Sequence, residues 1–489
     1  MSDATPGPAG DPLEAEDPLE AEDPLAADKR TLTIGAIAMI GLIIVGVVSA
    51  QLFARGGCVG VVEPRAAAAL DEDVAPTDAV NDALGSVDAR RVIADVEQLA
   101  ASPVAAAVPV GETDGVVALE DGLLTTGPTV TSLDGSLVPV ATFDTDDPVV
   151  GDGAAVYDVV VPNDVTGQTD AIVPLSGPEL TVGGCVDTAV VGSAFAFLLG
   201  ADEGQLLLFR AEEDGDQPTL ELRDATGRRW QAPIEQPAGP PGTLAERLSG
   251  ELGPDVVVAA RRVGPQEETG APAVVAVDRE DGAVRFEVAH DTLAQAAQLD
   301  GTVPIRWEVA AVGTDTALVH GRPDPSEAAE DDRARDGSLV LLDLDAGEAI
   351  TAVTGIGPLL AAAATPPAAT VERHAVATAH PSGPDDEVLV LDADGALTSV
   401  GNPDGDVTLA WAGDDLLIVG PTSLSRVTAD PAGGDTYTLA EDVTYRGLAV
   451  TADGRIAVLV TARDASDAVL LVTTRSDGPV TDPDEPGGA

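Results

Sequence analysis

The side chains best suited to chemistry are few and scattered. His290, His320, His374 and His380 are the only histidines in 489 residues. His374 and His380, six apart, define no ligand pair or general base, and all four are expected at the surface or in turns. Cys58 and Cys185 are the only cysteines. Neither belongs to a CxxC pair with a nearby histidine, so a metal site is not expected. Gly183-Gly184-Cys185 has no evident histidine partner, which argues against a nucleophilic thiol. The loop FDTDDPVVGDG at 143–153 offers Asp144, Asp146, Asp147 and Asp152 to a cation. It lacks the twelve-residue calcium-ligand pattern ending in glutamate and is read as a solvated turn. No Gly-x-Ser-x-Gly, His-Glu-x-x-His or phosphate-cradling glycine loop occurs. The expectation is that no residue is catalytic, binds a cofactor or holds a metal.

What carries these residues is more legible. Thr31 to Phe53 (TLTIGAIAMIGLIIVGVVSAQLF) runs 23 positions without a charge. At about 1.5 Å rise per residue it is long enough to cross a hydrocarbon core of roughly 30 Å as a helix. Lys29 and Arg30 precede it and Arg55 and Arg65 come after it, so the basic bias is weak. A short tail is easier to retain inside than a large domain. The reading is a single-pass cell-membrane protein with residues 1–30 in the cytoplasm and the remainder extracytoplasmic. The alternative is a cleaved secretory signal ending near Val48-Ser49-Ala50, which exports the same mass.

Residues 11–28 repeat as DPLEAE, DPLEAE, DPLAAD. One leucine per unit buries too little surface to offset chain entropy, so the acidic tail 1–30 is expected to be disordered, as is the C-terminal tail 476–489. In an exported chain the two cysteines, set in matching Gly-Gly-Cys-Val contexts, read as one disulfide, Cys58 with Cys185. It would tie the juxtamembrane segment to the globular body. Two free thiols are the alternative.

The chain has 25 basic and 84 acidic residues, a net charge of −59. Nucleic acid is excluded as a partner, because the favourable term there comes from Lys and Arg meeting phosphate. Adhesion to anionic headgroups beyond the anchor is disfavoured for the same reason. An apolar fraction of 44%, mostly Ala, Val and Leu, still supports a core.

Residues 54–111 are read as an extracytoplasmic stalk with one short helix. In SVDARRVIADVEQLAA, Val87, Val92, Val96 and Leu99 share a face, Ser86 or Asp88 can cap the start, and Pro103 ends the helical stretch. From residue 112 to 475 the pattern changes to valine and leucine runs ending in Asp and Gly, such as QLLLFRAEEDG, GSLVLLDLDAG and DEVLVLDADG. These are strands closed by tight turns, where glycine accepts positive φ cheaply. TLAERLSGEL (243–252) and HDTLAQAAQL (290–299) read as helices inserted between strands.

The turns recur. Asp224 to Gly227 leads to Trp230, Asp278 to Gly282 leads to Phe286, and Asp343 to Gly347 and Asp392 to Gly395 continue the series. The glycines are spaced by 55, 65 and 48 residues. A period near 40–55 with several strands per unit predicts a β-propeller, since each small sheet must be covered by its neighbours. About seven four-stranded blades fit 112–475, with GVVALEDG (115–122) completing the final blade.

The segment VVAVDREDGAVRFEV (274–288) resembles the repeat of PQQ-like, quinoprotein-type β-propellers. In that repeat a strand ends in Asp, Gly comes four residues on, and an aromatic comes four later. Asp278, Gly282 and Phe286 match. Asp343 and Gly347 match with Thr351 in place of the aromatic, and the units at Asp224 and Asp392 are one residue tighter. VTADGRIAVLV (450–460) is similar to the blade of WD40-type and TolB-type propellers. The resemblance implies the fold, and the enzymes of that family imply a quinone and calcium. Stacking a flat quinone takes an aromatic or adjacent cysteines. Trp230 and Trp307 are read instead as packing between sheets, and no cysteines are adjacent.

Together these readings point to a membrane-anchored extracytoplasmic propeller that is a binding or assembly platform without catalysis or cofactor. Its negative field favours basic or cationic ligands, with an envelope protein or peptide as partner. The alternatives are a quinoprotein-like cofactor- or metal-binding enzyme, and a signalling receptor whose output is the acidic tail.

Overall fold

The computed structural model describes residues 64–67 and 74–474, apart from 86, 120, 145–148, 152–154, 161–170, 183–185, 188–193, 203, 213–217, 225–226, 236–247, 265–269, 302, 324–336, 380–386, 402–406, 429–434, 439–441, 464 and 466. The apolar span 31–53, both tails, Cys58, Cys185 and His380 lie outside these. Among the described residues no helix is long and apolar enough to cross a membrane.

Strands dominate because the apolar runs are short, β-branched and closed by turns. Val256–Val263 (VVVAARRV) is buried at every position. Its alternate residues serve two different cores. Val256 and Val258 pack with Trp307 and Val319 on one side, and Val257 and Ala259 pack with Leu207 and Phe209 on the other. A strand covered on both faces needs a sheet on each side, and this requirement repeats around the molecule.

Antiparallel pairing divides the strands into successive sheets. Sheet 1 holds residues 115–144, sheet 2 149–187, sheet 3 194–233, sheet 4 248–289, sheet 5 305–356, sheet 6 359–401 and sheet 7 408–438. Sheet 8 holds 443–473 together with Val104–Glu112. Sheets 4 and 5 share a strand ladder at only two residue pairs, Arg262 with Arg306 and Val263 with Ile305, and otherwise pack face to face. The first strand of each sheet contacts the first strand of the next, and that of sheet 8 contacts that of sheet 1. The first strands therefore line an axis, and the fold is a β-propeller. The expected count of seven blades is not confirmed, since the pairing among the described residues gives eight sheets around the ring.

Closure also differs from expectation. Gly115–Leu119 is the innermost strand of sheet 1 and does not complete the last blade. Val104–Glu112, placed by sequence in the stalk, supplies the outermost strand of sheet 8 by pairing with Asp467–Thr473. Its interrupted apolar pattern and Pro109 hide it from a strand search, and an outer strand tolerates both. An early strand is thus fastened to the last one, covering the Asp467–Thr473 edge and leaving Val104–Glu112 as the outer edge of the sheet.

Two helices precede that strand. α1 (Pro76–Leu84) starts at a proline and stops at Gly85, whose φ is 71°. α2 (Ala89–Ala100) is capped by Asp88, whose side chain accepts the Arg91 N–H at 3.2 Å. Val92, Val96 and Leu99, the face read from sequence, are fully buried against Leu417, Leu424, Val458 and Leu471 of sheets 7 and 8. The segment is docked on the ring along its length. Of the two helices expected within the ring, His290–Ala296 forms as α3. Leu248–Leu252 is instead the first strand of sheet 4, because Leu248, Gly250 and Leu252 bury one strand face.

Candidate functional site

The hairpins joining first to second strands and those joining third to fourth strands share one face of the ring. Arg279 N–H donates to Asp255 O at 3.1 Å, Leu344 N–H to Asp315 O at 2.9 Å and Ala393 N–H to Glu372 O at 3.2 Å. All the Asp–Gly repeat turns predicted from sequence lie on this turn face.

Their residues are structural. Asp278 accepts the Glu280 N–H at 2.8 Å, and Asp343 accepts those of Asp345 and Ala346 at 2.8 and 2.7 Å. The Glu280 N–H, the largest influence, and Arg285 hold the Asp278 carboxyl below the usual carboxylate range. Gly282, Gly347 and Gly395 have φ of 73°, 68° and 85°. Each glycine sits against the preceding blade: Gly282 on the Trp230 ring, Gly347 on Phe286 and Gly395 on Thr351. Asp224 pairs with Arg229 at 3.1 Å, while Gly227 has nothing within 4 Å of its missing side chain.

The three indoles are equally committed. Trp230 Nε1–H donates to Arg279 O at 2.8 Å, Trp307 Nε1–H to His290 Nδ1 at 3.2 Å and Trp411 Nε1–H to Ala363 O at 3.2 Å. All three are buried, and the Arg373 guanidinium lies 5.0 Å over the Trp411 ring. None presents a free face on which a quinone could stack. Among the described residues no group of three His, Cys, Asp or Glu could hold a metal. The described residues show no site fitted to the quinone and calcium of the quinoprotein enzymes, and Asp146, Asp147 and Asp152 of the acidic loop lie outside them.

The three described histidines are not surface residues as sequence suggested. His290, His320 and His374 are buried. His374 Nε2 lies 2.7 Å from Thr316 Oγ1, whose hydroxyl donates to Glu372 Oε1 at 2.7 Å. Glu372 also accepts the N–H groups of Asp315 and Thr316 at 2.8 and 2.9 Å. Burial works against its ionisation, but these bonds and His374 outweigh it and hold the carboxyl down to about 2. An ionised Glu372 can only accept, so the Thr316 hydroxyl donates to the acid. This hydroxyl–histidine–carboxylate set therefore latches blade 5 to blade 6 and is not wired as a nucleophile.

The turn face also carries a depression at the mouth of the axis. A cavity of about 340 Å³ is lined by Asp202 of sheet 3, Glu251 of sheet 4, Ala310 of sheet 5 and Ala362 and Ala364 of sheet 6. It adjoins a 210 Å³ hollow through Thr365 and Pro367, and a 450 Å³ hollow through Pro254 and Arg279. Arg279 forms its floor. Its guanidinium donates to Asp202 Oδ2 at 2.7 Å, Gly253 O at 2.7 Å and Gln205 Oε1 at 2.8 Å.

Glu251 stands differently. Ser249 and Glu251 share the strand face towards sheet 5, where Ser249 Oγ accepts the Val309 N–H at 2.7 Å. Glu251 is open to solvent but stands at the cavity wall, where neighbouring protein atoms displace part of its hydration. That desolvation, with the neighbouring Asp202 charge, pushes its carboxyl up to about 7. Sequence reading missed this site because Glu251 fell in the segment taken for a helix. The alternation of Leu248, Gly250 and Leu252 was the available signal.

No family model matches the chain, and no curated protein matches it. Among solved structures it is similar to the Cps50 (Swd1) β-propeller domain of Myceliophteria thermophila, at 11% identity over 76% of this chain and 99% of that one, with a TM-score of 0.39. It is also similar to the quinohemoprotein alcohol dehydrogenase ADHIIG of Pseudomonas putida HK5, at 11% identity over 76% of each chain, TM-score 0.45. A third likeness is to the Dos1 propeller, at 10% identity over 75% of this chain and 94% of that one, TM-score 0.43. These likenesses concern the fold alone, and the strand pairing above establishes it independently.

Proposed function

We propose that this chain is a non-catalytic binding platform, held at a membrane by residues 31–53, with the turn face of its propeller as the docking surface. One observation carries the reading: the three hollows run together across blades 3 to 6 on that face, around the mouth of the axis. Concave surfaces with a few convergent polar groups are the default binding sites of proteins. The set Thr316–His374–Glu372, wired for packing, and the fully engaged tryptophans favour binding over catalysis. The net charge of −59 favours a partner with basic groups, and an apolar run of 23 residues favours an extracytoplasmic ring on a single-pass anchor.

A photo-crosslinking residue placed at Glu280 or Asp255, both exposed on the turn face, tests it in native membranes. The expected result is one discrete adduct from either position and none from Thr292, on α3 away from that face. Equal adducts from all three sites, or an adduct from Thr292 alone, would dismiss the docking surface. Deleting 31–53 should release the protein into the soluble fraction.

A further inference from the structure

We propose that the axial mouth is a receptor for an alkyl cation, an ammonium or guanidinium on an aliphatic stem, with Glu251 as its counter-charge. The inference rests on the binding reading above and names the chemistry of the site.

The charges around the cavity are unequally used. Asp202 is neutralised by Arg279, which is itself fixed by Gln205 and the Gly253 carbonyl. Among the described residues Glu251 has no side-chain hydrogen bond or ion pair. A carboxylate lining a cavity beside a second carboxylate is repelled by it, and a cation entering the cavity relieves that repulsion. Among the described residues the charged groups that line the cavity with Glu251 are Asp202 and Arg279, and Glu372, held by its own bonds to Thr316, stands behind Gly313 of the wall. The facing strands of blades 5 and 6 line the cavity with alanines, Val312, Gly313, Thr365 and Pro367, none of them titratable.

Those walls decide what kind of cation fits. Methyl groups of Ala310, Ala362 and Ala364 accept a hydrocarbon stem and supply no oxygen to a metal. Calcium takes six to eight oxygen ligands, and one free carboxylate with a second already paired falls far short. Anions meet two carboxylates and are excluded. A volume of about 340 Å³ lies at the small end of ligand pockets, suited to one extended side chain or a short amine.

The fitting cation can be the arginine or lysine of a partner polypeptide, or a free alkylamine. In both, the ionised form of Glu251 is the binding form. Affinity should therefore weaken as pH drops below about 7, approaching tenfold per unit, while Asp202 remains paired with Arg279.

Calorimetric titration of the full chain with butylguanidinium, butylammonium, an α,ω-diamine and a blocked Gly-Arg-Gly peptide tests the site. Butylguanidinium or butylammonium should bind at pH 8, and Glu251→Gln should lower that affinity at least tenfold. Glutamine matches glutamate in shape and breaks no bond in the ring, so the variant folds. Ala364→Leu should block the same probes by filling the cavity, with the melting temperature reporting an intact ring. Tighter binding of the peptide assigns the site to a side chain, and tighter binding of the diamine to a free amine. Unchanged affinity in either variant, no binding of any probe at millimolar concentration, or calcium binding lost in Glu251→Gln overturns the proposal. If adducts at Glu280 persist while the cations fail to bind, the platform stands and this site falls.

Discussion

The ring of Phe286 in blade 4 lies against the α-carbon of Gly347 in blade 5, so closely that a β-carbon there would meet Cγ at 2.7 Å. Both residues belong to the repeat visible in sequence, but to successive copies of it. The period is therefore a record of contacts between neighbours. Trp230 repeats the relation with Gly282, and Thr351 repeats it with Gly395.

Gly347→Ala should be strongly destabilising. The substitution places a side chain at φ 68° and forces it into an aromatic ring held between two sheets. The left-handed conformation costs roughly 1–2 kcal/mol and overpacking a further 1–3 kcal/mol. Denaturant unfolding should show a loss of about 2–5 kcal/mol, and combining it with Phe286→Ala, which removes the clashing ring, should give less than the sum of the two single losses. Gly454→Ala, also at positive φ (81°) but with open space around it, should cost only the conformational part. Equal losses at the two glycines would show that the interblade contact carries no energy.

Glu372 makes stability depend on acid. Its folded carboxyl sits near 2 against an ordinary 4.5, so the folded state binds fewer protons than the unfolded chain between those values. The contribution is complete above about pH 4.5 and is lost as pH falls through about 2. The side chain is 12% exposed, so a shift of this size corresponds to something on the order of 3 kcal/mol. Glu372→Gln should lower unfolding free energy by about 2–3 kcal/mol at neutral pH. The gap from wild type should close towards about pH 2. A constant gap across that range would mean the latch is steric, not electrostatic.

How far sequence reveals such a ring depends on which residues report to which neighbour. The Asp–Gly turns and the apolar second and third strands were visible, because each carries its own local pattern. Val104–Glu112 was not, because its register is set by Asp467–Thr473, more than 350 residues away. Leu248–Leu252 failed for a related reason: its leucines at alternate positions fit a strand, but TLAERLSGEL also satisfies a helical period. The buried histidines were misplaced because nothing in sequence shows that Trp307 or Thr316 faces them. Glu251 became visible as a site only when four blades brought their first strands together.

The closing strand yields its own test. Val104–Glu112 pairs along its length with Asp467–Thr473, and Val108 and Val110 pack with Val116 and Leu123 across the seam. Removing residues 1–112 should expose the Asp467–Thr473 edge and the apolar seam, giving soluble aggregates and loss of cooperative melting. A peptide spanning 74–114, which carries α1 and α2 as well as the strand, supplied in trans should restore a monomer on size-exclusion chromatography. Cooperative melting of the truncated chain alone would mean that the ring does not need this fastening.

The cysteines provide the last prediction, because their flanking segments run along neighbouring sheets. Arg65–Ala66 adds to the outer edge of sheet 1 by pairing with Ala141 and Thr142, and Arg65 forms an ion pair with Asp144. Val182 and Val186, on either side of Cys185, pair with the third strand of sheet 2. Sheets 1 and 2 adjoin through Leu124, Phe143 and Leu175. Six residues separate Cys58 from Arg65, a reach of up to about 25 Å, and for an exported ring the expected pairing is Cys58 with Cys185. Closing so long a loop would stabilise by roughly 4–5 kcal/mol in the chain-entropy view. Peptide mapping of non-reduced protein from native membranes should find Cys58 linked to Cys185. Cys58→Ser should lower the melting temperature and free the juxtamembrane segment to proteolysis near Arg65. Two thiols alkylated quantitatively without reductant would remove the bond, and with it the strongest chemical argument for an oxidising compartment.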